Sequence, residues 1–511
     1  MSRPGVEVYS SAAAPPLGVP TDTSVAFVVS EAQQGPTDAP SRLTSLDDYT
    51  NTYGDRVPGV EGYDACDAAF REGVTTIYYM RLADSGAKVA TGDAATLAAG
   101  NTLNAANAGT WGNALEVKVV ATPGGDDGGD GGNGEEVEPS GLLDFATPAA
   151  AGPTFLASVY LNGKAVQTSQ ELVTRRDLSN FLQQATYVTI VGPDDDTPLA
   201  AGDVSLAGGA DGTLPVAEGD DSFGNALDAI PKTLGPGQLL APGRSDVESH
   251  SLMLLHCQGR NRYALLDGAA TDGVTELTSA AAALRGSEQD RYGMLWGPWA
   301  IIPGIAQGTQ RTVPWSAIQA GLIARNDKAG NPNQAAAGTW GSSLYALGLT
   351  QAFTESECEQ LLYAGVCTAR TVYNEIQAYA FRSLSSQSGS NYQWWQANWG
   401  RLAMAIVAQG ERVGQSFVFS QLDGRGLTIA AFGGQLGAVC KEFLDDGALF
   451  TDPDANGDPT TAYRVNVGPA VNTVESLSDG KLIAVLSVRM SPHAELVQIY
   501  IVKTDITVAL V

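Results

Sequence analysis

Asp267 is the residue of this sequence whose position is most typical of chemistry, because it ends the short predicted strand RYALLDG, residues 262–268. Nucleophiles and metal ligands are common at the carboxyl ends of strands in α/β folds. One hypothesis is therefore an Asp-His-Ser hydrolase that uses His250 or His256. These two histidines are six residues apart on a predicted helix, which places them on different faces. The third histidine, His493, is predicted to be an ordinary packing or surface residue. Because a strand-end aspartate more often caps a loop or helix, we predict no catalytic residue.

The best candidate for a metal site is the loop DPDANGD, residues 452–458. Asp452, Asp454 and Asn456 match positions 1, 3 and 5 of a calcium-binding loop, and a glycine follows at position 6. Position 12 should supply a bidentate carboxylate, but Tyr463 stands there. We therefore favour an exposed turn over a calcium site.

A second acidic stretch, GGDDGGDGGNGEEVE at residues 124–138, is only loosely similar to glycine-aspartate calcium repeats because it lacks their strict period. We predict a flexible, solvated loop. Five cysteines are scattered without a C-x-x-C pair, which argues against a disulfide framework and a zinc site and predicts small buried side chains. Nucleotide-binding glycine loops and the G-x-S-x-G elbow are also missing. We predict no metal, no cofactor and no enzymatic activity, with calcium binding by either acidic stretch left open.

The balance of charge excludes further classes of partner. The chain has 29 Lys and Arg against 56 Asp and Glu, a formal net charge of −27 at pH 7. Phosphate backbones repel such a surface, and the longest basic cluster is the pair Arg175 and Arg176. No stretch reaches the ~20 apolar residues of a membrane helix, and the N-terminus lacks a secretory signal pattern. We predict a cytoplasmic protein that contacts neither nucleic acid nor membrane directly.

The organisation of predicted elements indicates an α+β / α/β multidomain protein, and 511 residues allow two to four domains. Helices alternate with strands in a central domain, alternating runs indicate a β-rich inserted outer domain, and two helices followed by three strands indicate a small C-terminal α+β domain. The predicted parts are an N-terminal arm (1–22), an N-terminal α/β part of the core (23–86), the insertion (87–212), the central α/β domain (213–390), the C-terminal domain (391–504) and a last strand (505–511).

Both ends of the sequence have the composition of β-strands. Residues 2–11 read SRPGVEVYSS, and residues 499–511 read IYIVKTDITVALV. Apolar residues alternate with others in each segment, so each can offer one apolar face to a sheet. The backbone groups of such strands need hydrogen-bonding partners, which either this molecule or another copy must supply.

Several segments follow one another along the chain in a recognisable order. They are RPGVEVYS, TSVAFVVSEAQQGPTDAPSRLTSLDDYTNTYGD, FREGVTTIYYMRLAD, AGTWGNALEVKV, DRYGMLWGPWAIIPG, VPWSAIQAGLIARNDKAG, NWGRLAMAIVAQGERVGQSFVFSQLDGRGL and VLSVRMSPHAELVQIYIV. In their number and order, these segments resemble the contractile tail sheath proteins of bacteriophages and of related injection machines such as R-type pyocins. Trp315 departs from the family pattern, as does the following NPNQAAAGTW, and the insertion shares only one motif with the family.

The resemblance implies a central domain of subtilisin-like, non-catalytic fold and terminal arms that add strands to a neighbour's sheet. It also implies a homo-oligomer of stacked hexameric rings around a tail tube, with baseplate and tail terminator proteins as further partners. The particle would be a virion tail, assembled in the host cytoplasm, whose contraction drives genome ejection. The residues implied in inter-subunit strand exchange are Val6, Val8, Ile506, Val508 and Leu510.

Two alternatives stay open at this point. Within the structural class, the chain could be the sheath of a phage-derived contractile injection system or a pyocin-like particle. The hydrolase centred on Asp267 is the alternative from a different class.

Overall fold

A computed structural model of the protein describes residues 21–122, 153–329, 331–452, 454 and 458–499. The helices in these residues are α1 (Leu46–Tyr53), α2 (Gly62–Glu72), α3 (Arg175–Gln183), α4 (Asp221–Asp228), α5 (Val247–Arg260), α6 (Val274–Leu284), α7 (Trp315–Ala329), α8 (Glu355–Ala364), α9 (Ala397–Gln415), α10 (Leu427–Asp445) and α11 (Val474–Ser478). The strands are β1 (Ala26–Ser30), β2 (Ser41–Leu43), β3 (Ile77–Arg81), β4 (Ala87–Lys88), β5 (Thr91–Asp93), β6 (Thr102–Ala105), β7 (Leu115–Ala121), β8 (Phe155–Leu161), β9 (Lys164–Thr168), β10 (Val188–Val191), β11 (Gly202–Ser205), β12 (Ala210–Asp211), β13 (Gln238–Leu240), β14 (Tyr263–Asp267), β15 (Gly293–Gly297), β16 (Ala300–Pro303), β17 (Gln310–Val313), β18 (Gly348–Leu349), β19 (Val366–Val372), β20 (Glu375–Ala378), β21 (Tyr463–Asn466) and β22 (Val485–Val488).

The central sheet has the strand order β2-β3-β1-β13-β14-β15-β19-β20. Its six inner strands are parallel, and the two outer strands run antiparallel to their neighbours. Strand β1 reads AFVVS and is buried throughout, as a parallel strand covered on both faces requires. Because β1 pairs with both β3 and β13, residues before 87 and residues after 212 contribute to one sheet.

Helices cover both faces of this sheet. Side chains of successive strand residues alternate between the faces, so Val28 packs with α1, α2 and α7, whereas Phe27 packs with α4, α5, α6 and α8. Fully burying a side chain of this size stabilises the fold by ~1.5–3 kcal/mol. The alternating central region is therefore a three-layer α/β core.

Strands β4 to β12, in residues 87–122 and 153–211, form antiparallel sheets of their own, with strand orders β10-β6-β5, β11-β7-β8-β9 and β12-β4. Strand β7 alternates buried and partly exposed residues, and its buried side chains join a separate core with α3. Strands β8 and β9 are joined at Asn162 and Gly163, both with positive φ, which is the turn that the sequence LNGK predicts. The region between β3 and β13 is thus rich in β-structure.

The C-terminal part contains α9, α10 and the antiparallel pair β21–β22 over a fourth hydrophobic cluster. Helix α9 belongs to two cores, because Ala397 and Met404 pack in the central core while Leu402 and Ile406 pack in the C-terminal cluster. The sequence predicted a third strand at 494–503. Residues 494–499 form no strand, and the rest of that segment lies outside the described residues.

Candidate functional site

Asp267 caps a helix. It lies at the end of β14 with 2% of its surface exposed, and its Oδ1 accepts the backbone N–H of Ser316, in the first turn of α7, at 2.9 Å. Burial raises the pKa of the Asp267 carboxyl to about 7, against the lowering effect of the hydrogen bonds from Ser316. A carboxylate that accepts a first-turn N–H stabilises the helix. This contact is the capping role that the sequence favoured.

The two helical histidines have other partners. The Nε2 atom of His250 lies 3.1 Å from the carbonyl oxygen of Arg244, and His256 Nε2 lies 2.8 Å from the guanidinium of Arg262. Burial lowers the pKa of His250 to about 4, while burial and the charge of Arg262 lower that of His256 to about 3. In the part of the chain that the structure describes, neither imidazole is hydrogen-bonded to Asp267, so these contacts assemble no triad.

The acidic loop at 452–458 is only partly described. The Asp452 carboxylate accepts the backbone N–H of Asp454 at 3.1 Å, and Asp458 accepts the N–H and hydroxyl of Thr460, so these two carboxylates contact their own turn. Asn456 and the stretch 124–138 lie outside the described residues. Within those residues, no group of three or more His, Cys, Asp or Glu side chains could hold a metal ion.

All five cysteines are buried and free, as the sequence predicted. Among the helices of the described ranges, none combines the length and the apolar character needed to span a bilayer.

The C-terminal pair β21–β22 has the geometry of a strand acceptor. Its register places Tyr463 opposite Val488 and Asn466 opposite Val485, and the N–H of Arg489 donates to the Ala462 carbonyl oxygen at 2.8 Å. Bonded and non-bonded pairs alternate in such a ladder, so every second residue directs its N–H and C=O away from its partner. In the described residues this sheet has two strands, and residues 448–450 pair with residues 489–491 just beyond the end of β22. Along β21 and β22 themselves, both outer edges direct backbone groups outward.

One face of the same sheet lies on the hydrophobic cluster. Val465, Leu486 and Val488 pack there against side chains of α9 and α10, among them Val439 and Phe443. The opposite face is exposed. A strand added at either edge would therefore extend over the same apolar surface, with its alternate side chains directed into the cluster.

The residues predicted to exchange, Val6, Val8, Ile506, Val508 and Leu510, lie outside the described residues, so their role stays a prediction. The structure does show how the adjoining segments are held. The hydroxyl of Thr23 donates to Asp327 Oδ2 at 2.6 Å, and Ser491 and His493 contact side chains at the start of α9.

Sequence reasoning missed the contact between α9 and the segment after β22. The signal was a polar residue, Asn398, at the start of the largely apolar stretch NWGRLAMAIVA, and this signal is too general to identify a contact.

Solved structures of contractile sheath proteins share this fold. A sheath tail protein from Listeria innocua has a TM-score of 0.56 at 14% identity, over 88% of this chain and 89% of that chain. The contracted helical sheath of the anti-feeding prophage has a TM-score of 0.52 at 14% identity, over 99% of this chain and 100% of that chain. The contracted sheath complex of an extracellular contractile injection system, PVC, has a TM-score of 0.54 at 13% identity, over 99% of each chain.

No protein-family model and no curated protein matches the chain. The structural comparisons confirm the mixed α/β fold and its resemblance to sheath proteins over nearly the whole length. The domain boundaries drawn from the sequence stay predictions.

Proposed function

We propose that this chain is a structural subunit of a contractile sheath, which polymerises with copies of itself as stacked hexameric rings around a tail tube. The observation that carries the proposal is the two-stranded sheet β21–β22, whose outward-directed edges lie over a hydrophobic cluster. The fold likeness to sheath proteins supports the same function.

Subunits join by strand addition in this proposal. The segment with Val6 and Val8 and the segment with Ile506, Val508 and Leu510 each add to the β21–β22 sheet of a neighbouring copy. Backbone hydrogen bonds give affinity, and alternate apolar side chains fix the register. Because each such contact joins two different surfaces, it generates a ring where its rotation closes and a helical filament where it does not.

Contraction is then a rigid-body rearrangement of subunits between two packings of one lattice. The tail tube, the baseplate and a tail terminator are the proposed partners, and the insertion at 87–212 is the outer domain. The location is the particle tail, with assembly in the host cytoplasm, and the work is mechanical delivery of a genome through the envelope of the target cell.

A phage-derived injection system or pyocin-like particle is a second candidate of the same class. The solved structures with this fold include injection-system sheaths that cover 99% of this chain. The neighbouring genes distinguish the two, because capsid and terminase genes accompany a phage tail, whereas an ATPase and effectors accompany an injection system.

The hydrolase loses support because Asp267 caps α7 and its described hydrogen bonds include no histidine. Absence of hydrolysis by the native protein, together with normal polymers of the D267A variant, would eliminate this alternative.

Cryo-electron microscopy of the purified full-length chain tests the proposal directly. We expect helical polymers in which each β21–β22 sheet gains strands from other copies. Monomers under all assembly conditions, or polymers in which this sheet stays two-stranded, would overturn it.

A further inference from the structure

The segment that follows β22 is held against the first turn of α9. The carbonyl oxygen of Ser491 accepts hydrogen bonds from Asn333 Nδ2 at 2.9 Å and from Trp399 Nε1 at 3.1 Å. The side chain of Gln396 makes two hydrogen bonds to the backbone of His493, accepting its N–H at 3.2 Å and donating to its C=O at 3.3 Å. Three side chains from other parts of the chain therefore hold residues 491–493, and Asn398 is a fourth.

The amide of Asn398 is fixed in one orientation by its neighbours. Asn333 Nδ2 donates to Ser491, so the Oδ1 atom of Asn333 faces Asn398 and accepts from Asn398 Nδ2 at 2.9 Å. This places the oxygen of Asn398 on the other side, 3.0 Å from Nδ1 of His493. Since an amide oxygen only accepts hydrogen bonds, Nδ1 of His493 must carry a proton.

The other ring nitrogen also faces an acceptor. Nε2 of His493 lies 3.3 Å from Glu495 Oε1, and 18% of the His493 side chain is exposed. A neutral imidazole has one N–H and one lone pair, so it would direct a lone pair at an oxygen at one of these two positions. Only the doubly protonated imidazolium satisfies both contacts.

Glu495 remains ionised beside this ring. Its carboxylate accepts bonds from the guanidinium of Arg382, whose Nε lies 3.1 Å from both carboxylate oxygens. Burial opposes the ionised form, but hydrogen bonds from His493 and Arg382 lower the pKa of Glu495 to about 2. Arg382 itself lies over the ring of Trp395, with its guanidinium carbon 4.9 Å from the ring centroid.

The charges around His493 come from three elements. Its own segment supplies Glu495, and the stretch before α9 supplies Arg382. On α9, Asn398 is uncharged, and Arg401 one turn further on is engaged by Asp327. Glu495 is thus the carboxylate that the imidazolium meets, and it is still held by Arg382 when the imidazole is neutral.

Beyond Glu495, the side chains of Leu496 and Val497 are each 75% exposed.

We propose that protonated His493 clamps residues 491–495 to the start of α9, and that this hold weakens when the ring becomes neutral because one of its two side-chain contacts is lost. The consequence for assembly rests on the proposed function, because the clamp would fix the direction in which residues 499–511 leave the subunit towards a neighbour. Because the closed clamp requires the protonated ring, it weakens as the pH rises.

Hydrogen–deuterium exchange of the full-length, unassembled chain tests the clamp at about pH 5.5 and about pH 8, with rates corrected for the intrinsic effect of pH. We expect amides of 491–499 to exchange about tenfold faster at the higher pH, as the loss of one charge-assisted hydrogen bond predicts. The H493K variant keeps a positive charge and should lose the pH dependence while retaining protection, whereas H493Q should exchange fast at both values.

Equal protection of the native chain at both pH values, or a pH dependence retained by H493Q, would overturn the clamp. Peptides from β14 and β15 serve as the internal standard, because their strands lie deep in the central core and report whether a variant has lost its fold. Electron microscopy of the same samples separates the two proposals. A pH-dependent clamp in a chain that never polymerises would contradict only the sheath function, whereas polymers with a pH-insensitive segment would contradict only the clamp.

Discussion

Arg401 and Asp327 form a buried ion pair that joins helix α9 to the end of helix α7. The Arg401 Nη2 atom lies 2.6 Å from Asp327 Oδ2, and the two side chains are 0% and 4% exposed. The same carboxylate oxygen accepts the hydroxyl of Thr23, just before β1. One carboxylate therefore connects the first strand of the sheet, the helix packed on it and the helix shared with the C-terminal cluster.

Substitution of Asp327 by alanine is expected to lower the free energy of unfolding by about 3–5 kcal/mol, because Arg401 would stay buried without a counter-charge. Urea titration followed by fluorescence measures this change. The matched control is D445A, which removes the exposed Lys441–Asp445 pair and should leave the urea midpoint unchanged. A D327A variant as stable as the control would show that the pair has no role in holding α9.

The pH dependence of stability should report the burial of Asp267. Its pKa is raised from 3.8 to about 7, so the folded chain binds a proton that the unfolded chain has lost, and stability should fall as the pH rises from about 4 to about 7. The D267N variant keeps an oxygen for the Ser316 N–H and should lack this fall. D267A loses the cap and should be less stable than D267N by about 1 kcal/mol. Parallel pH profiles of the native and D267N chains would disprove this account.

The two faces of the last segment should differ in their effect on assembly. Aspartate at Ile506, Val508 and Leu510 should abolish long polymers, because a charged face cannot lie on the apolar cluster of β21–β22. Aspartate at Thr507 and Ala509, on the other face of the predicted strand, is the control and should leave polymers visible by negative-stain electron microscopy. Equal defects in both variants would argue against an ordered strand in that position.

Added salt should favour polymerisation, since subunits with a net charge of −27 repel one another. The screening length falls from about 30 Å at 0.01 M salt to about 8 Å at 0.15 M. Light scattering of the purified chain over this range should show a rising polymer fraction, with MgCl₂ more effective than NaCl at equal concentration. A polymer fraction that declines steadily with salt would contradict the expectation.

Local patterns predicted much of the fold. The uninterrupted apolar runs AFVVS and YALLD read as buried parallel strands and form β1 and β14. The alternating run LEVKVVA reads as a strand of the β-rich insertion and forms β7, which pairs antiparallel with β8. Each of these patterns depends only on which faces of a strand are covered, which the residues themselves encode.

Relationships across the chain could not be predicted in this way. Strand β13 reads QLL, too short for periodicity, and its place beside β1 depends on packing between segments more than 200 residues apart. The stretch 494–499 has the composition of a strand, yet its residues form no strand. The Glu495 side chain is instead hydrogen-bonded to Arg382, which lies 113 residues away in the sequence. The role of Asp267 was anticipated only as the commoner alternative, because its partner Ser316 lies 49 residues away.

Helix α9 packs in both the central core and the C-terminal hydrophobic cluster. With 19 residues it is about 28 Å long, and its side chains that enter the central core, Ala397 and Met404, alternate with those that enter the C-terminal cluster, Leu402 and Ile406. A load applied to β21–β22 would therefore reach the central core across this one helix. If the chain works as the proposed sheath subunit, its two parts would turn together instead of separating from one another.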